Sequence, residues 1–334
     1  MITLGLAVAL HLGAAHAGQR GAPPRPGRVV PQLSALASAK KRGDAIELER
    51  IARLVGPAGL ASAMASDDRR VRSAAVSAAP RIEDAWTLLE PLSRVVADDA
   101  DEALAREAAD AASVIADGLS PLAGDEIPLD AMRRSAQTLA QAAAARPHDA
   151  ELRIAALGAV ASLGNRVPAE SLAAMPVLLV DADPRIRRAA VEAMRAGLSL
   201  RGAERLRALI DKEQATEVTA PAAAAVCHLA ETTPEARAQA PMMADRARRI
   251  ARDAATPAED VLELLGCLGL SATLADRQVL GELARTHADG QVRAEATLQL
   301  ARPPVPAIPG QPAPAAKPAT PPGKRGPETQ LPHR

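Results

Sequence analysis

Apolar and polar positions along this chain recur with the period of a helix. Within one recurring phrase the apolar residues fall at i, i+4 and i+7, as in Ile186, Ala190 and Ala193, or Leu152, Ala156 and Ala159 with Leu163 beyond. That spacing draws one apolar stripe along an amphipathic helix. The phrase opens on one or two acids, passes a branched apolar residue, often followed by Arg, and continues with spaced Ala. It reads DDRRVRSAAVSAA from Asp67, DADEALAREAADAA from Asp99, DAELRIAALGAVASLG from Asp149, DADPRIRRAAVEAM from Asp181 and ADGQVRAEATLQLA from Ala288. Weaker copies begin at Thr216 and Ala258. The leading apolar residues Val71, Leu104, Leu152, Ile186, Val218, Val261 and Val292 stand 33, 48, 34, 32, 43 and 31 residues apart. A period in the thirties with two insertions predicts two-helix repeats joined by variable loops. The Asp before the strong copies suits a helix N-cap, and an acid there also suits the helix dipole.

Upstream of the phrases lie further helical stretches: 84–97, 130–145, 169–180 and 204–210. Pro57, Pro91 and Pro176 fall inside such stretches, where a proline removes a backbone donor and kinks the helix. Pro57 and Pro91 lie 14 and 13 residues before Val71 and Leu104, which makes them equivalent in successive repeats. A proline-kinked first helix, an acidic turn, and a second helix opening on Val-Arg-x-x-Ala resembles the HEAT repeat over residues 32–301, about seven repeats. The resemblance implies an all-α, right-handed α-solenoid with first helices on the convex face and second helices on the concave one. The copies from Thr216 and Ala258 depart from the pattern, with Thr219 and Leu262 where Arg is usual, and Pro221 sits near the start of its second helix.

Composition changes the picture of the core. With no Phe, no Tyr and one Trp, Trp86, the interior must be built from Ala, Leu, Val, Ile and Met. Ala favours helix and buries little, which suits many helices packed along a line. Charge is balanced at 40 cations and 40 acids, but unevenly placed. Arg20, Arg25 and Arg28 near the start, and Arg302, Lys317, Lys324, Arg325 and Arg334 against Glu328 at the end, give the two ends +7 and leave the body at −7. An acidic body argues against a nucleic-acid platform.

The ends read as separate segments. Residues 2–15 are apolar, and Ala15-His16-Ala17 before Gly18 suits signal-peptidase cleavage, although no Lys or Arg precedes the run. The run is too short to span a bilayer, and no other stretch is apolar enough to do so. The domain reading is a signal peptide over 1–17, a Pro/Gly/Arg linker over 18–31, the solenoid over 32–301, and a disordered Pro/Ala-rich basic tail over 302–334.

Candidate chemistry is sparse. The histidines at 11, 16, 148, 228, 287 and 333 are scattered, with His148 and His287 in the turns before second helices. Cys227 and Cys267 lie in successive second helices at wheel angles about 60° apart, which favours two small buried apolar residues over a disulfide. No phosphate loop, nucleophile elbow or zinc motif is found, so no catalytic, cofactor or metal residues are assigned. Trp86 reads as partly buried on the flank of its helix. Arg72, Arg106, Arg153, Arg187 and Arg293 stand near the starts of second helices and form the candidate partner-binding ladder. The competing role for them is pairing with Asp68, Asp99, Asp149, Asp181 and Asp289. The expected function is a monomeric, non-enzymatic scaffold, periplasmic or secreted, that binds a protein or peptide through its concave face. The alternatives are a cytoplasmic adaptor or nucleic-acid-binding protein, and an enzyme of the bilin-lyase type.

Overall fold

The computed structural model describes residues 26–119, 129–145, 149–164 and 166–303, all of them helix, turn or loop. The predicted signal peptide and nearly all of the tail lie outside the described residues. The chain divides into two units, Met1–Arg205 and Leu206–Arg334. The first holds α1 (Pro26–Arg42), α2 (Ala45–Met64), α3 (Arg69–Ala78), α4 (Leu89–Asp98), α5 (Glu102–Asp117), α6 (Leu129–Ala145), α7 (Ala150–Ser162), α8 (Met175–Leu178) and α9 (Pro184–Arg195). Helix α10 (Leu200–Ile210) crosses the boundary. The second unit continues with α11 (Thr216–Thr232), α12 (Ala240–Ala251), α13 (Ala258–Ser271), α14 (Leu274–Thr286) and α15 (Gly290–Ala301).

All seven copies of the phrase are second helices: α3, α5, α7, α9, α11, α13 and α15. In the first unit α3, α5, α7 and α9 pack one on the next, and α2, α4 and α6 each pack on the second helix that follows them. In the second unit α11 packs on α13 and α13 on α15, with α12 and α14 covering them. This is the all-α helical-repeat fold that the periodicity predicts. The stripe that drives it is visible in α5, which buries Leu104, Ala105, Ala108, Ala109, Ala112 and Ile115. Leu60, Leu92, Leu139, Leu157 and Met175 supply the large, fully buried side chains between such Ala-lined helices.

Capping starts the strong copies. Asp68, Asp101, Asp149, Asp183 and Asp289 each accept a backbone N–H from the first turn of α3, α5, α7, α9 and α15. The two weak copies start on Ala215 and Pro257, with no side-chain cap.

The prolines break helices more than they kink them. Gly56 takes φ 69°, ψ 173° between the two halves of α2, so Pro57 opens a fresh helical turn. The stretch at 84–97 is a 3-10 turn, Ala85–Leu88, followed by α4, with Pro91 in its first turn. The stretch at 169–180 is not one helix but a 3-10 turn, Ala169–Ser171, and the single turn α8 that carries Pro176 near its start. In each case the missing N–H falls among donors that a helix start leaves unpaired. Helix α1 begins at Pro26, inside the stretch whose composition reads as linker, and packs on α2 and α3. The first insertion includes residues 120–128, outside the described residues; the second is a 3-10 turn, Pro234–Gln239, packed on α11.

Candidate functional site

The turns before the strong second helices share a grammar of two devices, the first present at α3, α5, α9 and α15 and the second at α3, α7, α9 and α15. Two residues ahead of the N-cap stands a side chain that accepts the N–H of the cap itself: Ser66 for Asp68, Asp99 for Asp101, Asp181 for Asp183 and His287 Nδ1 for Asp289, at 2.9–3.2 Å. Four residues after the cap stands Arg. Its Nη1 donates to two turn carbonyls, six and five residues back: Arg72 to Ser66 (2.9 Å) and Asp67 (3.2 Å), Arg187 to Asp181 (2.8 Å) and Ala182 (3.1 Å), Arg293 to His287 (2.7 Å) and Ala288 (2.8 Å). Those carbonyls lie just beyond the end of a helix or in the turn, where no helical partner reaches them, and a guanidinium has donors enough for several.

Arg153 also reaches back, donating Nε to Ala143 O near the end of α6 at 2.5 Å, and is only 4% exposed. Two of these arginines also reach the next repeat: Arg72 Nε to Asp99 Oδ2 at 2.7 Å, and Arg153 to Asp181. The expected pairing with Asp68, Asp149 and Asp289 is replaced by capping, because those carboxylates serve their own helices.

Arg106 is the exception. It lies five residues past its cap, Asp101, and the position the others use is held by buried Ala105. Its side chain is therefore exposed on α5, in line with Asp110 and Val114, the last 58% exposed. Partial desolvation on the helix face pushes the Asp110 carboxyl above its usual range against the pull of Arg106, and Glu107 adds to the rise. Beside α5, α7 presents Gly158, where an added Cβ would meet nothing within 4 Å. The structure thus carries Arg72, Arg106, Arg153 and Arg187 on successive second helices of the first unit, and Arg293 in the second. Of these only Arg106 stands outside the turn grammar.

Two ties escaped the sequence reading. Lys40 Nζ, on α1, donates to Ser73 O (3.1 Å), Ser73 Oγ (2.6 Å) and Glu107 Oε1 (2.5 Å), so a residue of α3 sits inside a bridge from α1 to α5. Ser77 donates to the same carboxylate. All three ammonium protons are used, and Glu107 accepts from three groups, which makes this a brace and not a nucleophile with its base. In the second unit Arg302 Nη1 donates to Glu231 Oε1 at 2.8 Å, tying the end of α15 to α11. Alignment of Ser73, Ser77 and Glu107 on the helical wheel is the sequence signal that would have found the first.

The cysteine reading is corrected. Cys227 and Cys267 are joined, with Cα atoms 5.2 Å apart. Equal wheel angles are the wrong criterion for two stacked second helices, which touch through opposite flanks, so an angular offset is what a bridge needs. Trp86 lies half-buried in the 3-10 turn, not on a helix, and that turn packs on α2 and α5. His228 is exposed, its Nδ1 3.5 Å from Glu231. Among the described residues no three His, Cys, Asp or Glu side chains gather as metal ligands, and no helix is long and apolar enough to cross a membrane. His148 lies outside the described residues.

No protein-family profile and no curated protein matches the sequence. Among solved structures the chain is similar to an engineered protein of the Northeast Structural Genomics Consortium (21% identity, TM-score 0.48, covering 81% of this chain and 78% of that one). It is also similar to a second engineered protein of that consortium (19%, TM-score 0.37, 81% and 97%) and to a designed armadillo repeat protein (17%, TM-score 0.38, 73% and 98%).

Proposed function

We propose that this chain is an exported, non-enzymatic scaffold of HEAT type that holds a protein or peptide on the second helices of its first unit. The observation that carries this reading is the surface left over once the turns are built. The turn arginines are spent on carbonyls, whereas α5 and α7 present Arg106, Asp110, Val114 and Gly158 to solvent. A cation, a carboxylate, an apolar side chain and bare backbone side by side match the mixed chemistry of a polypeptide. Export is supported by the buried cross-link, since disulfides persist in oxidising compartments, and by the leader-like residues 1–17.

The test uses the full-length chain with Arg106→Glu and Gly158→Gln, both at positions where the fold has room. Capture of the partner from the host envelope by chemical cross-linking should fall at least tenfold, on the order of a hot-spot loss, with unchanged circular dichroism. Undiminished capture by both variants rejects the face. Intact mass after fractionation checks the address: a species beginning at Gly18 is expected in the envelope or medium, and an uncleaved cytoplasmic chain rejects export.

A further inference from the structure

The two cysteines are the only ones in the chain, and both sit in the interior, Cys227 at 3% and Cys267 at 0% exposure. They link α11 to α13 across 40 residues of sequence. These two second helices also start with less support than the others, although Glu213 accepts the Ala215 N–H and Arg246 donates to Glu213 O in the turn before α11. Neither has a side-chain cap, and Thr219 and Val261 stand four residues past the cap, where α3, α7, α9 and α15 carry arginine. Pro221 removes a further backbone donor from α11. What α11 offers its neighbours is largely small: Ala220, Ala222, Ala223, Ala224 and Ala225 are all buried, and each contributes only one methyl group.

We infer that the Cys227–Cys267 cross-link takes the place of the missing side-chain caps, so that the pairing of α11 with α13 becomes firm only after thiol oxidation. The step needs a disulfide oxidant, either a small molecule or another protein. One cysteine thiolate attacks it to form a mixed disulfide and expels one thiol, and the second cysteine attacks that bond and expels the other. Two electrons and two protons thereby pass from the cysteine pair to the oxidant, which leaves as two thiols. Once α11 and α13 close, both sulfurs are beyond the reach of a dissolved thiol. The bond is therefore a lock set during folding and not a reversible sensor. This inference concerns the second unit and stands apart from the partner-binding face of the first.

Hydrogen exchange read by mass spectrometry on the full-length chain tests it. Three forms are compared: oxidised, reduced while unfolded and refolded in reductant, and the double variant Cys227→Ala/Cys267→Ala. Amides of α11 and α13 should exchange on the order of 10²-fold faster in both uncross-linked forms, with α3, α5 and α7 unchanged. The native oxidised chain should also resist reductant until it is unfolded. Protection of α11 and α13 within a few-fold of the oxidised form overturns the inference, as does rapid reduction of the native chain. Should the double variant fail to fold, the reduced native sequence supplies the same reading without any change of side chain.

Discussion

A guanidinium four residues past a helix cap reaches back over the turn the chain has just left; one placed five residues past it is rotated by a further 100° and reaches solvent. That single step separates Arg153, at 4% exposure and bonded to Ala143 O and Asp181, from exposed Arg106. Removing Arg153 takes the side-chain donor from the Ala143 carbonyl and the paired cation from the partly buried Asp181 carboxylate, which is left with the Asp183 N–H. Arg153→Ala should therefore cost about 3 kcal/mol, against less than about 0.5 kcal/mol for Arg106→Ala. Chemical denaturation of the two variants checks the contrast, and equal losses would mean that the register argument is wrong. Counting from the cap, not from the acidic run, would have separated these residues in the sequence. Proximity to the helix start, the feature the five arginines share, is too coarse by one residue.

At the scale of the helix, the caps make stability depend on carboxylates. Asp68, Asp101 and Asp183 are held below the usual carboxyl range chiefly by hydrogen bonds from Arg70, Arg69 and Arg185, and Asp289 by the backbone N–H groups of Val292 and Gln291. Burial pushes Asp181 upward, but Arg153 and the Asp183 N–H outweigh it and leave it lowered as well. A group lowered in the folded chain contributes its stability above the unfolded value, about 3.9 for Asp, and loses it as pH falls through the folded one. Thermal midpoints should accordingly hold steady from neutrality down to about pH 4 and drop below it. A midpoint still level well below that point would show that the caps contribute nothing.

The same caps explain why so much of the fold is legible in the sequence. Each strong second helix announces itself by an Asp and a stripe, and all but α5 by a clamp as well. The first helices are harder to read, because a proline within an apolar stretch marks either a bend or a new start, and Pro57, Pro91 and Pro176 all open new starts. The braces of Lys40 and Arg302 join residues 67 and 71 positions apart, and only the i, i+4 pair Ser73 and Ser77 gives the first a local trace.

For the whole molecule, the composition that reads as poor core material has a second side. Without Phe or Tyr the chain has a single fluorescent side chain, Trp86, and without other cysteines it has a single disulfide. The ring lies in the first unit, in the turn packed on α2 and α5, and the sulfur pair lies in the second, between α11 and α13. Each unit therefore carries its own built-in optical reporter. Indole emission follows the environment of α2 and α5, and the near-ultraviolet dichroism of the disulfide follows α11 and α13, with no tyrosine background and no engineered label.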